Sequence, residues 1–559
     1  HLFLNQKKDN FAPVNNFPLQ HLNDKSTYII PLGGCGEFGM HMFLYICTGT
    51  YIIVDCGIMF PPPHCLGTAG IYPQVEELLM QINKVDLYII THAHEDHIGA
   101  LNHFVSRFPA PIYMSEWSKE IICAKYIFLE QYIKSVSNNN ITNIKINNTE
   151  ISFIPVNHSI PGSLAIYIQN TKSSILHCSD FKFRNDNKLQ IFNHLLTLQQ
   201  NKYIKPIDVM LVDSTNSDLE GFCLLESEII DDLKNLIYQA PQAVFITLFA
   251  SNAFRLKSIY EICNSLNKKI CIIGQSIEHT FNTAIKLNII PKSHLFISTQ
   301  DIAFFPRKEL VFIVGGCQAE ITSSLKRIAN DQHKTIQIAP QDMVIFSARQ
   351  IPGNEYYIQA LIIECIKKGA TVYLPESYHN IHASGHAYKE DIKELIKIFN
   401  PKAYISIHGT YDKLYANANI AKEMQIQNIL IPQNGDIIEV NRNSINMINK
   451  IPIPKGYLDE PFRIPLTSKE IKDRINLSTN GVLIIAGIFN VTKQYWEVSP
   501  TIEIIGLRIP IHLTKEEFNK SFTSEIMNYY NNNIIEHMQD MENLKIKIMG
   551  EYDPVIVEE

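Results

Sequence analysis

Four side chains able to bind a metal fall within six residues: His92, His94, Asp96 and His97, in Thr91-His-Ala-His-Glu-Asp-His97. They follow directly on Val85-Asp-Leu-Tyr-Ile-Ile, an apolar, β-branched run that reads as a buried strand. The alternating pair His92 and His94 can turn both imidazoles to one side of the turn that leaves the strand. Asp96 and His97 come as the chain swings toward a helix, so they can meet a second cation nearby. Imidazole and carboxylate donors suit Zn²⁺, with Mn²⁺ or Fe as competitors. An accidental histidine cluster on a polar loop would account for any one of these residues, but poorly for four together. The stretch therefore reads as the loop of a dinuclear metal hydrolase.

Further single donors stand at the ends of other expected strands. Met42 to Cys47 and Tyr51 to Val54 form an expected hairpin ending at Asp55, a carboxylate placed to orient a ligand histidine. Ile151 to Val156 leads to His158, and Ser174 to Cys178 leads to Asp180. Together they offer a third imidazole and a carboxylate able to bridge two cations. Val209 to Val212 ends the same way at Asp213, and Ala403 to Ile407 at His408. Upstream, Gly33-Gly-Cys-Gly-Glu-Phe-Gly39 permits a tight turn but lacks the spacing of a phosphate loop. A helical stretch is expected from the metal loop to about Lys134.

The elements that must hold these donors need more than one core. The chain has 559 residues, 46% hydrophobic and 19% charged, the balance of an ordinary globular protein of two to four domains. From about Glu226 to Pro375 strands and helices alternate, which predicts an inserted α/β domain with a parallel sheet. The Pro-containing segment Lys450-Ile-Pro-Ile-Pro-Lys-Gly456 reads as a linker. Beyond it, strand Gly481 to Ile488 and helix Lys515 to Met538 predict a small α/β domain. The net charge of −7 gives no global basic signature. Eleven cysteines without a CxxC pair point to reduced thiols and a cytoplasmic location, and no apolar run of about 20 residues predicts a membrane span.

Nine motifs in this order resemble the ribonuclease J family, in the β-CASP branch of the metallo-β-lactamase superfamily. They are Leu-Gly-Gly-Cys-Gly-Glu-Phe-Gly, Thr-His-Ala-His-Glu-Asp-His-Ile-Gly-Ala, Asn-His-Ser-Ile-Pro, Ser-Asp-Phe-Lys-Phe, Asp-Ser-Thr-Asn, Phe-Ala-Ser-Asn, Ile-Pro-Gly-Asn-Glu, His-Ala-Ser-Gly-His and Ile-His-Gly-Thr-Tyr. The resemblance covers roughly residues 27–455 and, more faintly, the C-terminal part. It implies an α/β fold: an αββα metallo-β-lactamase sandwich, an inserted β-CASP α/β domain and a small C-terminal α/β domain. The implied boundaries are a polar arm at 1–25, the first part of the sandwich at 26–225, the β-CASP domain at 226–386, the second part of the sandwich at 387–448, a linker at 449–465 and the C-terminal domain at 466–559.

By the same resemblance, His92, His94, His158 and Asp180 would hold one divalent cation. Asp96, His97, Asp180 and His408 would hold a second, both Zn²⁺ or, as an alternative, Mn²⁺. Asp96, Asp180 and His386 would be catalytic, the last beside the scissile phosphate, and Asp55 and Asp213 would support the ligands. Phe249, Ala250, Ser251 and Asn252, with His382, Ala383, Ser384, Gly385 and His386, would form the pocket for the terminal nucleotide. The implied activity is hydrolysis of single-stranded RNA, 5′→3′ from a 5′-monophosphate, with endonucleolytic cleavage as a second mode. Implied partners are RNA, a second or further copies as homodimer or homotetramer, and RNA-decay proteins, with no membrane. Lys182, Arg255 and Arg349 are expected to add positive charge to the RNA channel. The alternatives are a hydrolase of the same fold acting on DNA or another ester, and a weakly catalytic RNA-binding scaffold. Departures from the family pattern are Ala93 for Gly, His41 for Asn, Phe254 for His, Ala69 and Gln74 for acidic residues, and Gly315, Cys317, Ala319 and Ile321.

Overall fold

A computed structural model describes residues 19, 22, 26–62, 65–82, 84–138, 140–183, 206–320, 322–351, 353–442, 444–460, 463–490, 495–506 and 514–532. Nearly all of the N-terminal arm expected at 1–25 lies outside them. The chain divides into two compact units, His1–Phe60 with Ala69–Ile464, and Pro61–Thr68 with Pro465–Glu559.

In the first unit, strand Met42–Cys47 shows how the sandwich is built. Every one of its residues is buried, because alternate side chains enter different cores. Phe43, Tyr45 and Cys47 face inward between two sheets, while Met42, Leu44 and Ile46 face the helices outside. The first sheet runs in the order Ser444–Lys450, Asp436–Asn441, Thr27–Gly33, Met42–Cys47, Thr50–Val54, Leu87–Ile89, Ile112–Ser115, Ile133–Val136. The second runs Asn428–Leu430, Ala403–Ile407, Val209–Asp213, Ser174–Cys178, Ser163–Gln169, Thr149–Val156, Thr142–Ile146. Ile52, Val54, Leu87 and Ile89 of one meet Phe153, Ile166, Leu211 and Ile405 of the other. Each such side chain contributes roughly 1.5–3 kcal/mol by leaving water. Helices Lys389–Phe399 and Tyr411–Glu423 cover the outer face of the second sheet. The layers are therefore αββα, as expected.

A third sheet of five strands, Lys269–Ile273, Leu310–Val314, Val244–Thr247, Met343–Phe346 and Thr371–Tyr373, is parallel throughout. Such a sheet must be covered on both faces. Val244 and Ile246 pack toward helices Glu226–Gln239, Ala253–Leu266 and Gln275–Lys286. Phe245 instead faces Leu325, Ile328, Ile358 and Leu361 on helices Ser324–Ala329 and Glu355–Lys367.

The expected long helix after the metal loop is not continuous. Short helices Glu95–Ile98 and Leu101–Arg107 give way to strand Ile112–Ser115 before helix Glu116–Lys125. Pro109 and Pro111 stop the helix, and four residues are too few for a strand to show its period. The segment expected as a linker carries strand Lys455–Asp459, whose buried Leu458 joins the main core.

In the second unit, helix Ser468–Asn480 starts at Thr467, whose hydroxyl and Glu470 form a reciprocal cap. Strands Val482–Asn490 and Tyr495–Ile505 pair antiparallel, and Ile502 packs on Phe522 of helix Lys515–Asn532. Residues 533–538 of the longer helix expected there lie outside the described residues.

Candidate metal centre

Parallel pairing places strand ends side by side, and the donors stand at those ends. Thr50–Val54 runs parallel to Leu87–Ile89, so Asp55 and Thr91 leave the sheet as neighbours. Asp55 accepts from Thr91 N at 2.8 Å and Thr91 Oγ1 at 2.7 Å, and its Oδ2 meets His97 Nδ1 at 2.8 Å. Its φ of 61° is a left-handed conformation that aspartate tolerates better than most residues. Gly57 lets the metal loop approach this corner, since a Cβ there would sit 1.5 Å from Asp96 O. In the second sheet, parallel strands Ser174–Cys178, Val209–Asp213 and Ala403–Ile407 bring Asp180, Asp213 and His408 to the same edge. His158 arrives from the end of Thr149–Val156.

Three overlapping groups of donors result among the described residues: His92, His94, His158 and Asp180; Asp96, His97, His408 and His41; and Asp180, Asp213, His386 and His408. The ligand atoms of His92, His94, His158 and Asp180 lie within 4.8 Å of one another. His94 Nδ1 is 3.0 Å from His92 Nε2 and 3.2 Å from His158 Nε2. Asp180 Oδ2 lies 3.4 Å from His92 Nε2, 3.7 Å from His158 Nε2 and 3.6 Å from His97 Nε2. On the other side, His408 Nε2 lies 2.9 Å from Asp180 Oδ1 and 3.8 Å from Asp96 Oδ2. His97 Nε2 lies 3.5 Å from Asp96 Oδ2.

This arrangement fits cations. Donors about 2 Å from a tetrahedral ion sit about 3.3 Å apart, close to the separations found. His158 Nδ1 faces Gly385 O at 2.7 Å and must donate, so a neutral ring points a bare lone pair from Nε2 toward the other histidines. Burial pushes His92 down to about 3 and His94 to about 4, keeping both neutral at physiological pH. The three nitrogens converge at 3.0–3.2 Å, a geometry that a single proton on His94 Nδ1 or one cation among them satisfies. In the second group His97 Nε2 is buried without a hydrogen-bond partner, and His408 Nε2 and Asp180 Oδ1, though 2.9 Å apart, do not meet in hydrogen-bonding geometry. Burial would raise the Asp180 carboxyl, but His408, His97, His386 and His92 together hold it well below the usual carboxylate range.

His386 stands at the edge of the first two groups, its Nδ1 2.7 Å from Asp213 Oδ2 and 3.8 Å from Asp180 Oδ2. Burial alone would lower it, yet Asp213 and Asp180 raise it to about 9. Asp213 also accepts from Thr215 Oγ1 at 2.7 Å, and that hydroxyl lies 2.8 Å from His408 Nδ1.

The expected nucleotide-pocket residues divide. Ser384 Oγ accepts from Asn216 Nδ2 at 2.8 Å and His386 N at 3.2 Å, which leaves its own proton for an acceptor. Ser251 reaches His94 Nε2 at 3.1 Å, and Phe249 and Ala250 are half-buried beside it. Asn252 is buried and its side chain caps Arg255 N at 3.0 Å, so that side chain serves the helix. Ala383 and Gly385 are buried in the 382–386 loop, and His382 Nδ1 lies 3.2 Å from Ser347 O. Arg255 does not line a channel. It is fully buried, ion-paired to Glu226 at 2.9 Å and bonded to Ser347, Ile381 O and Ala383 O. Lys182 is also buried, which leaves Arg349 as the exposed cation of the three expected in the channel. A guanidinium with this many buried acceptors is structural, a role that spacing does not reveal.

His41 stood out in the sequence only as a departure. Its ring stacks on His408 at 3.8 Å and on His97 at 4.5 Å, and its Nε2 is buried without a partner. Gly34 makes room for it, because a Cβ there would lie 2.3 Å from His41 Nδ1. Thr91, Thr215 and Asn216 join the site through hydroxyl and amide bonds that no metal-ligand pattern announces.

Comparison with known proteins gives three family matches along the chain. Residues 39–126 match the metallo-beta-lactamase superfamily, 241–365 the beta-CASP domain of ribonuclease J, and 376–432 the Zn-dependent metallo-hydrolase RNA specificity domain. Ribonuclease J of Helicobacter pylori is 30% identical over 94% of this chain and 79% of that protein. Ribonuclease J2 of Bacillus subtilis is 27% identical over 86% of this chain and 87% of its own length. For ribonuclease J of Mycoplasma genitalium the figures are 29%, 85% and 84%. A solved Enterococcus faecalis protein of unknown function shares the fold, with a TM-score of 0.52, 13% identity and coverage of 74% of this chain and 100% of that one. Identity of this extent, carried by a chain whose donors meet at the edge of an αββα sandwich, places it in the ribonuclease J family.

Proposed function

We propose that this chain is a metal-dependent ribonuclease that hydrolyses single-stranded RNA 5′→3′ from a 5′-monophosphate end, with internal cleavage as a second mode. The observation that carries the reading is the convergence of His92 Nε2, His94 Nδ1 and His158 Nε2 on one point, with Asp180 reaching a second donor group. His92, His94, His158 and Asp180 would hold one cation, and Asp96, His97, Asp180 and His408 the other. Zn²⁺ suits this donor set best, with Mn²⁺ as the competitor. When bound, such cations lower the pKa of water and stabilise charge on phosphoryl oxygens.

The chain's own residues supply the rest. Asp180, held ionised by the histidines around it, ties the two donor groups together. His386, kept protonated by Asp213, holds a proton at the edge of the site for the leaving oxygen as water adds to phosphorus and the ester bond breaks. The Ser384 hydroxyl, accepting two bonds already, offers its proton to a terminal phosphate. The Phe249–Ser251 turn and the 382–386 loop would form the nucleotide pocket.

RNA as the substrate accords with the names of the relatives and with the match at 376–432. A cytoplasmic setting accords with eleven free cysteines, ten of them buried. No helix among the described residues is long and apolar enough to cross a membrane. Self-association as a dimer or tetramer is assigned to the C-terminal unit, with RNA-decay proteins as further partners.

The experiment is digestion of matched 5′-monophosphate and 5′-triphosphate RNAs by protein reconstituted with Zn²⁺ or Mn²⁺, beside Asp180→Asn. Mononucleotides should appear faster from the monophosphate RNA, and the variant should release none. Intact RNA in the presence of two bound cations would overturn the reading.

A further inference from the structure

Every ligand imidazole has a second nitrogen, and what holds it decides which nitrogen is left for a cation. His97 and His92 are held from within the sandwich, by Asp55 and by Thr91 Oγ1 at 3.1 Å. The other two rings of the first group are held from farther away in the chain. His158 Nδ1 bonds to Gly385 O. His94 is turned the opposite way from its neighbours: Nδ1 faces the donor group, and Nε2 reaches Ser251 Oγ at 3.1 Å, 157 residues later.

Ser251 stands on a braced turn. It follows Val244–Thr247, the central strand of the five-stranded sheet, and precedes helix Ala253–Leu266. Asn252 N bonds Phe249 O and Ala253 N bonds Ser251 O, both at 2.9 Å. Arg255, in the first turn of that helix, donates to Ile381 O and Ala383 O, which ties the turn to the segment leading to Gly385. The parallel-sheet lobe and that segment thus supply the second hydrogen bond for two of the three imidazoles in the first group.

We propose that Ser251 is a positioning residue for the first cation. Its hydroxyl accepts the Nε2–H of His94, fixes the tautomer that leaves Nδ1 free for the metal, and makes occupancy of that site depend on where the parallel-sheet lobe sits. This rests on the two-cation reading and gives Ser251 a role besides contact with a nucleotide. Coupling of this kind is reciprocal. If the lobe's position favours the cation, the cation in turn stabilises the turn at 249–252.

The test uses the full chain, with Zn²⁺ as the probe, titrated against a competing chelator. In Ser251→Ala one of two Zn²⁺ equivalents should weaken about 10–100-fold while the other is unchanged, the usual cost of losing an outer partner. Ser251→Thr keeps a hydroxyl and should restore the affinity. Hydrogen exchange at 249–252 should slow on Zn²⁺ loading in the wild type and in Ser251→Thr, but not in Ser251→Ala. Unchanged affinity for both equivalents in Ser251→Ala would overturn the proposal, and so would equal weakening of both or failure of threonine to rescue. Wild-type protein that never takes up two equivalents would instead overturn the two-cation reading itself, before any variant is compared.

Discussion

Asp55 Oδ2 holds His97 Nδ1 at 2.8 Å while the same carboxylate anchors the backbone and hydroxyl of Thr91. The ring of His97 is thereby fixed with Nε2 toward Asp96 and Asp180. Asp55→Asn keeps a side chain that tolerates φ of 61° but removes the charge. Cation affinity at the second group should fall about 10–100-fold. Asp96→Ala deletes a donor and should cost more, with activity lost by orders of magnitude. Equal losses in a metal-binding titration would show that Asp55 is itself a ligand.

His41 offers a second handle on the same group. Its ring packs on the faces of His97 and His408, so His41→Ala should leave a ring-sized void and let both imidazoles tilt. The second Zn²⁺ equivalent should weaken by about 10-fold or more, with the first unchanged. Gly34→Ala, which drives a methyl into the His41 ring, should produce the same selective loss. Two unchanged equivalents in both variants would reduce His41 to packing.

A proton held on His386 sets the alkaline limit of the reaction. Burial lowers its pKa, but Asp213 and Asp180 lift it to about 9, so the ring is protonated at neutral pH and loses its proton as pH rises. Cations on Asp180 weaken that carboxylate's share, which puts the limb of the pH–rate profile at or below about 9. Asp213→Asn removes the largest upward contribution and should move the limb to lower pH. A limb that stays in place in steady-state profiles of the variant would exclude His386 as the proton donor.

Arg255, fully buried, forms an ion pair with the partly buried Glu226 carboxylate and braces the pocket loops. Arg255→Met strands the carboxylate and should destabilise by about 3–5 kcal/mol, read as a lower urea midpoint. Adding Glu226→Leu should recover part of that loss, because no charge is then left unpaired. A double variant no more stable than the single one would mean that the lost bonds to Ser347, Ile381 and Ala383 dominate.

The hairpin of the C-terminal unit exposes Ile484 at 46%, Ile485 at 40% and Ile488 at 56%, apolar side chains shared between the two faces of a two-stranded sheet and suited to burial against another copy of the chain. Ile488→Glu should give a smaller species in light scattering at micromolar concentration. A wild-type protein already monomeric there would refute self-association through this hairpin. The side chains of Ile526 and Tyr530, also expected in that interface, lie outside the described residues.

What the sequence determined by itself was a set of candidate donors and the strand behind most of them. A buried strand ending in a polar residue is a local pattern, so His92, His94, Asp96, His97, His158 and Asp180 read as candidate ligands from the sequence alone, whereas His408 joins them only through the family resemblance. The parallel lobe was legible for the same reason: its strands are short, mostly apolar runs of three to five residues separated by helices with their own period. Short strands flanked by proline, such as Ile112–Ser115, were not, because tertiary pairing rather than local preference makes them strands. Only the folded chain decided which nitrogen of each histidine faces the site, since that depends on Asp55, Gly385 and Ser251, far apart in sequence. It also decided that Arg255 is buried structure rather than an RNA contact. The chemistry of a side chain is written locally, but its burial and hydrogen-bond partners are set by whatever chain packs against it.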